Sequence, residues 1–258
     1  MVDTHCHLAL CEPEEAELVA AALDAGVRRI LTVGLDEESN RGAIAAAERF
    51  EPVYAAVGRH PNSAAGYDEL AAGDLFELAR HPRVAAVGET GLDFYRDGSP
   101  RPEQRRAFAS QIEIARRVGK PLVVHVRDGD RETGGEALEE TFATLRELAD
   151  GVSVILHCFS APPERVGEAA ERGWYCSFAG NVTYASADSL RESARLVPDE
   201  LVLVETDSPF LSPRSKRQER NQPANVVETA AVLAEARGVS AAELGALVET
   251  NAARVFGW

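Results

Sequence analysis

Short runs of apolar residues alternate along the chain with amphipathic segments. Most of the runs are rich in valine and isoleucine, and several lack the polar alternation of a half-exposed strand. Parallel strands that are covered by helices on both faces have this pattern. The eight runs are Val2–Leu8, Val27–Leu35, Val53–Pro61, Val84–Asp93, Pro121–Asp128, Val152–Ser160, Gly173–Gly180 and Leu201–Leu211.

The segments between the runs predict helices. Pro13–Ala25 carries acidic residues in its first turn and is followed by Gly26, and Arg101–Val118 is followed by Gly119. Acidic residues at the start and glycine at the end are helix boundary signals. Further helices are predicted at Glu136–Ala149, Pro162–Arg172, Ala224–Arg237 and Ala241–Phe256. A strand and a helix repeated eight times predict an α/β fold, a closed (β/α)8 TIM barrel.

No shift in composition marks a second domain, so we expect one barrel domain over residues 1–258. The net charge is −15 and lysine occurs only at Lys120 and Lys216, which is not the basic footprint of a general nucleic-acid binder. No apolar stretch reaches the length of about 18 residues that a membrane helix needs. Asp3 and His5 interrupt any early apolar run of a signal peptide. We expect a cytoplasmic enzyme with reduced thiols, no membrane association and no obligate protein partner.

Candidate chemistry is concentrated at the carboxyl ends of the predicted strands, where such barrels carry their active sites. Five of the six histidines fall there, which scattered structural histidines would not do. The set consists of His5, His7, His60, Glu89, Asp93, His125, Arg127, His157, Glu205 and Asp207. Four imidazoles with two or three carboxylates exceed the needs of one tetrahedral zinc and suit two divalent ions, whether zinc, manganese or magnesium.

Alternation along a strand gives weaker expectations for the neighbours. It places Asp3 on the same face as His5 and His7, and it turns Cys6 and Cys158 to the opposite face as buried structural thiols. For Asp93 we favour a structural role. Glu205 shares a face with Asp207. It could support the metal ligands from behind, or it could fix the strand, and we regard the two interpretations as equally good.

Several motifs in a fixed order carry a family resemblance. "VDTHCHLAL", "GETGLDFYR", "HVRD", "HCFS", "ETDSPFL" and "NAARVFG" resemble the TatD family of metal-dependent deoxyribonucleases, in the amidohydrolase superfamily of distorted TIM barrels. The resemblance runs from Val2 to about Phe256. It implies one ion held by His5, His7 and Asp207, a second held by His125 and His157, and Glu89 as the bridge. It also implies Asp207 as the proton acceptor and His60 as a catalytic group that contacts substrate.

Some positions depart from the family pattern. Before the His-Pro pair of the third run, family members have a small or apolar residue where this chain has Arg59. After that pair they often have a histidine, where this chain has Asn62. In "HVRD", Val126 takes the place of a small polar residue. The segment after the eighth run is longer and more basic than usual, with Arg214, Lys216, Arg217 and Arg220. These departures concern substrate preference, because the implied metal ligands are all present.

The sequence therefore predicts a two-metal hydrolase that cleaves phosphodiester bonds of DNA, at single-stranded ends and as an exonuclease. Arg127 and the four basic residues of the segment after the eighth run are candidate phosphate contacts. One alternative is a metal-dependent hydrolase that cleaves an ester, amide or lactone bond instead, for example the ester of an aminoacyl-tRNA. The fold and its metal ions do not determine the substrate. A non-catalytic binding barrel is a further alternative, against which the complete ligand set argues.

Overall fold

The computed structural model describes residues 1–96, 98–129 and 135–258. Eight parallel strands form one sheet in the order of the chain, each paired with the next, as predicted for a (β/α)8 TIM barrel. The strands are β1 Val2–Cys6, β2 Arg29–Val33, β3 Val53–Val57, β4 Val84–Asp93, β5 Leu122–Arg127, β6 Val154–Leu156, β7 Tyr175–Phe178 and β8 Val202–Val204. Most strand residues are buried, because the sheet packs on helices outside and on side chains within the barrel.

Helices follow the strands and cover the sheet. They are α1 Glu15–Asp24, α2 Glu37–Arg49, α3 Glu69–Ala79, α4 Arg101–Val118, α5 Glu136–Leu148, α6 Val166–Glu171, α7 Asp188–Leu196, α8 Val226–Arg237 and α9 Ala241–Phe256. The bounds of α4 and α9 agree with the prediction. The predicted Pro162–Arg172 helix is instead a 3-10 turn, Pro163–Arg165, followed by the short α6. No helix among the described residues is both long and apolar enough to cross a membrane.

Hydrogen bonds between the first and last strands close the barrel. The backbone N–H of Asp207 donates to His5 O at 2.9 Å, and that of His7 donates to Ser208 O at 2.8 Å. The buried Asp3 carboxylate accepts from the Thr206 hydroxyl at 2.6 Å and from the Thr206 N–H at 2.9 Å. The closure therefore fixes Asp207 beside the two histidines of β1.

An irregularity in β4 positions its carboxylate. The pairing register of β4 with β5 shifts between Val87 and Thr90, at the site of Glu89. A bulge of this kind re-aims a side chain. The close approach of the strands also requires Gly91, where φ is +136° and an added Cβ would lie 2.0 Å from His125 O. Glu89 thus lies inside a strand, held against β5.

The sixth and eighth strands are shorter than the apolar runs predict. Each chain segment turns soon after its strand, with left-handed backbone at Cys158, where φ is 46°, and at Asp207, where φ is 53°. Residues other than glycine adopt this conformation at a cost of about 1–3 kcal/mol and are concentrated at functional sites. Both turns occur beside candidate ligands, His157 and Asp207.

Candidate metal centre

The five histidines at the strand ends converge on the buried carboxylate of Glu89. Each has a ring nitrogen between 2.7 and 3.8 Å from a Glu89 oxygen. The nearest ligand atoms on the β1 side are His5 Nε2 and His7 Nε2, 3.3 Å apart, and Asp207 Oδ1 lies 3.9 and 3.7 Å from them. The structure therefore brings together all six side chains that are predicted from the sequence as metal ligands.

The two oxygens of Glu89 face different partners. Oε2 lies 3.4 Å from His5 Nε2 and 3.8 Å from His7 Nε2. Oε1 lies 2.7 Å from His125 Nδ1 and 3.6 Å from His157 Nε2. One carboxylate oxygen thus faces His5 and His7, and the other faces His125 of β5 and His157, which follows β6.

The spacing of these atoms fits a divalent ion. Two ligand atoms bound to one tetrahedral ion at about 2.1 Å are about 3.4 Å apart. His5 Nε2 and His7 Nε2 lie 3.3 Å apart, and the distances from each of them to Glu89 Oε2 and to Asp207 Oδ1 run from 3.4 to 3.9 Å. Two groups of possible ligands, His5–His7–Asp207 and His5–Glu89–His157, have all their ligand atoms within 4.8 Å of one another.

Oxygen atoms on the far side of the rings face two of the imidazoles. His7 Nδ1 lies 2.9 Å from Val33 O, and His157 Nδ1 lies 2.7 Å from Glu205 Oε1. Because Val33 O takes the Nδ1 proton of His7, the Nε2 lone pair of that ring is directed to the centre. The Glu205 carboxylate faces the Nδ1 of His157 from the same side. This is the usual support of a metal-binding histidine.

Two carboxylates support the site more closely than the sequence indicated. Glu205 is fully buried; its Oε1 lies 2.7 Å from His157 Nδ1 and accepts from the Cys158 N–H at 3.0 Å, so each of its two interpretations has a contact. Asp93 Oδ2 lies 3.4 Å from His125 Nε2 and accepts from Asn62 Nδ2 at 2.8 Å. Our preference for a purely structural Asp93 missed this contact, because the length of β4 that brings it beside His125 depends on the bulge.

His60 differs from the other histidines in its hydrogen bonding. The Asn62 N–H donates to His60 Nδ1 at 3.0 Å, so Nδ1 is an acceptor. Burial lowers the pKa of His60 to about 3, so the ring is neutral near pH 7 and its proton is on Nε2. Although His60, Asp93 and His125 form a third group of possible ligands, His60 Nε2 is therefore a hydrogen-bond donor.

Burial and opposite charges set the protonation of the centre. Burial lowers the pKa of His5 to about 4 and raises the pKa of Asp207 to about 7. Burial opposes charge on His157 as well, but Glu205 and Glu89 outweigh it and raise the His157 pKa to about 10. The His157 and His60 rings in turn hold the pKa of Glu89 well below its usual range, against the effect of burial. A bound cation would displace the His157 proton, as metal binding to histidine generally does.

Two expectations from strand alternation were wrong. The register of β1 shifts between Asp3 and Cys6, so Asp3 bonds Thr206 at the closure and does not join the ligand groups. Cys158 is not a thiol buried on the opposite face, because the turn after β6 leaves it half-buried, with its Sγ 3.9 Å from Asn181 Nδ2. Cys6 is buried as expected, and its thiol donates to Leu31 O.

The candidate substrate residues lie on the surface around the centre or in the loop after β8. The guanidinium of Arg127 stacks over the Tyr95 ring, 4.0 Å from its centroid. In the loop, Lys216 pairs with Glu219 at 3.4 Å and Arg220 pairs with Glu12 at 3.0 Å. Arg217 lies 5.2 Å from the Tyr184 ring centroid, and the Arg214 N–H donates to Thr183 Oγ1. Arg214 and Arg217 are outside the two ion pairs. The role of all five cations stays a prediction.

An eight-stranded parallel barrel with imidazoles and carboxylates grouped at its carboxyl end is the arrangement of a metal-dependent hydrolase. Comparisons with known proteins agree. The profile of the family described as TatD related DNase matches residues 2–257. A relative from Mycobacterium tuberculosis, named uncharacterized metal-dependent hydrolase TatD, is 40% identical over 100% of this chain and 98% of its own length.

Two further comparisons concern Escherichia coli proteins. A relative named 3'-5' ssDNA/RNA exonuclease TatD is 34% identical over 93% of this chain and 92% of its own length. The crystal structure of YJJV, a TatD homologue, superposes with a TM-score of 0.89 at 25% identity, over 100% of this chain and 98% of the other. The chain belongs to the TatD related DNase family and is a metal-dependent hydrolase.

Glu89→Ala tests the shared carboxylate. We expect the purified variant to hold at least one divalent ion fewer than the wild type and to lose most of its hydrolytic activity, because it loses the carboxylate that faces His5 and His7 on one side and His125 and His157 on the other. The measurement is metal content by mass spectrometry beside activity. Glu48→Ala, which changes an exposed glutamate on α2, is the matched control. Full metal content and full rate in Glu89→Ala would contradict the assignment.

Proposed function

We propose that this protein is a two-metal phosphodiesterase that removes nucleotides from an end of single-stranded nucleic acid. The observation that carries the proposal is the position of Glu89, with one oxygen toward His5 and His7 and the other toward His125 and His157. A carboxylate between two sets of imidazoles suits a pair of ions with a common bridge. Two ions side by side are typical of enzymes that displace an oxygen at phosphorus.

The proposed ligands divide into two sets around that bridge. His5, His7 and Asp207 would hold one ion, His125 and His157 would hold the second, and Glu89 would serve both. Mixed nitrogen and oxygen ligands suit zinc or manganese, and magnesium if carboxylates and waters dominate. Bound ions would supply a water of lowered pKa and positive charge beside the phosphate oxygens.

Two side chains of the protein would move or donate protons. Asp207 is the proposed acceptor of the proton from the attacking water, since its Oδ1 lies 3.9 Å from His5 Nε2 and 3.7 Å from His7 Nε2, beside the ion that would hold that water. His60 would donate from Nε2 to an oxygen of the substrate phosphate, where negative charge develops.

The substrate assignment rests on the relative named as an exonuclease of single-stranded DNA and RNA and on an exposed arginine beside the proposed ligands. Arg127 is an exposed cation at the end of β5, two residues after the proposed ligand His125. It is a suitable contact for a phosphate next to the one being cleaved. A strand end enters a barrel mouth more easily than a continuous duplex does, which favours exonuclease action.

The direct test is cleavage of an end-labelled single-stranded DNA, and of the matching RNA, with and without added Mg²⁺, Mn²⁺ or Zn²⁺. We expect metal-dependent release of mononucleotides and a much slower reaction on blunt duplex. Phenyl acetate and a simple lactone are assayed in parallel. Efficient hydrolysis of either, with no cleavage of the strands under any of the metals, would overturn the proposal in favour of an ester or lactone hydrolase.

His60→Ala tests the donor role. Loss of one preorganised donor to developing charge lowers kcat by about 100- to 1,000-fold, and we expect metal content to stay at the wild-type level. His60→Gln, which keeps an N–H near the position of Nε2, should lose less activity. Loss of bound metal in His60→Ala would show that the residue is a ligand.

Neutralising the loop after β8 tests its proposed contact with phosphate. Each lost phosphate contact should reduce the salt dependence of single-strand binding by about 0.7 log units per log unit of salt. The double variant Arg214→Ala and Arg217→Ala should therefore raise KM for single-stranded DNA and flatten its salt slope, with kcat unchanged. Arg28→Ala and Arg80→Ala, at exposed positions before β2 and β4, form the control. Equal slopes in the two double variants would leave the loop without a role in binding.

A further inference from the structure

The aromatic side chains of this protein are distributed unevenly between interior and surface. All of them fall within the described residues, and only Tyr95 and Phe210 are exposed. Each of these two residues has a relative solvent accessibility of 48%. The others are buried or half-buried. An exposed aromatic ring costs hydration free energy that burial would recover, so the position of the two exceptions is informative.

Both exposed rings lie beside the candidate metal centre. Phe210 comes three residues after Asp207, its N–H donates to Asp207 O at 2.8 Å, and its ring centroid is 6.0 Å from that of His7. The Tyr95 N–H donates at 2.9 Å to Asp93 Oδ1, and the other oxygen of Asp93 is 3.4 Å from His125 Nε2. Phe210 is thus bonded directly to the proposed ligand Asp207, and Tyr95 is linked to the proposed ligand His125 through Asp93.

The two rings flank the centre from opposite sides. Tyr95 follows β4 and Phe210 follows β8, and strands four places apart in a closed eight-stranded order face each other across the barrel. Their backbones are fixed by hydrogen bonds, since Asp93 Oδ1 also accepts from the Arg96 N–H and Asn221 Nδ2 donates to Phe210 O. The backbone segments that carry the two rings therefore stand at defined positions on either side of the carboxylates and imidazoles.

Charge distinguishes the ring that follows β4. The Arg127 guanidinium covers one face of Tyr95 at 4.0 Å from the ring centroid. A cation stacked on an aromatic ring provides a planar surface and positive charge together, which is the combination that binds a base with its phosphate. If this surface instead bound another protein, the Arg127–Tyr95 stack would not need to lie beside the candidate metal centre.

We propose that Tyr95 and Phe210 are stacking positions for the nucleobases on either side of the cleaved phosphate. The inference rests on the proposed function and specifies its substrate as a strand whose terminal bases are unstacked and unpaired. Stacking on an aromatic ring accepts any base, because every base has a π-face. The enzyme would therefore select for the presence of bases at the strand end and discriminate little among sequences.

The test compares two substrates of the wild-type metal-loaded enzyme. One is a single-stranded oligo-dT, and the other is the same strand with tetrahydrofuran abasic residues in the last three positions at each end. The abasic strand keeps every phosphate and removes only the terminal bases. We expect a higher KM for the abasic strand with little change in kcat.

Tyr95→Ala and Phe210→Ala are then measured on both strands. Each should raise KM for oligo-dT by about 5- to 150-fold and should leave KM for the abasic strand within about twofold. Tyr95→Phe and Phe210→Trp keep a stacking ring and should retain wild-type values. Leu70→Ala, at an apolar position that is 80% exposed on α3, is the matched surface control. Metal content is measured in every variant to detect any shift of His7 or His125.

A fluorescent base gives an independent readout. Replacing the terminal base by 2-aminopurine should give fluorescence quenching on binding to the wild type, and weaker quenching with the alanine variants. If the wild type cleaves both strands with equal KM and the alanine variants match it, the stacking proposal is overturned and the proposed nuclease function stands. If the wild type cleaves neither strand, the proposed function fails and the stacking proposal fails with it.

Discussion

The arrangement of the site depends on one interaction, that of a buried carboxylate with five imidazoles. Glu89 is 2% exposed, and a charge this deeply buried is stable only with partners. Five histidines in or just after β1, β3, β5 and β6 supply them. The same nitrogens that stabilise the carboxylate are spaced to bind cations, so the polar core of the barrel mouth and the proposed metal centre are one structure.

Three features of the backbone make this interaction possible. The irregular pairing of β4 with β5 places Glu89, the bonds between β1 and β8 place Asp207 beside His5 and His7, and left-handed turns end β6 and β8 early. Around the ligands, Glu205 and Asp93 hold the rings of His157 and His125. His60 is outside the proposed ligand sets, since the hydrogen bond at its Nδ1 leaves its proton on Nε2, which lies 3.6 Å from Glu89 Oε1.

The barrel fold and the residues that lie together at its mouth could be predicted from the sequence, because both follow from periodic features of the chain. Apolar runs with intervening helices predict the strand order, and the carboxyl ends of parallel strands meet at one rim. The alternation rule failed for Asp3, where β1 changes register, and for Cys158, where the chain leaves the strand. The contact of Asp93 with His125 and the tautomer of His60 depend on tertiary hydrogen bonds that no local pattern encodes. The protonation of His157 likewise arises from Glu205 and Glu89, which are distant in the chain.

The central claim is that Glu89 lies between two metal ions. Crystals grown with Mn²⁺ and measured at the manganese absorption edge test it directly, since anomalous scattering locates each ion independently of the protein atoms. The account predicts two peaks per chain, one beside His5, His7 and Asp207 and one beside His125 and His157, with a Glu89 oxygen bound to each. A single peak under saturating Mn²⁺, or two peaks of which neither contacts Glu89, would contradict it.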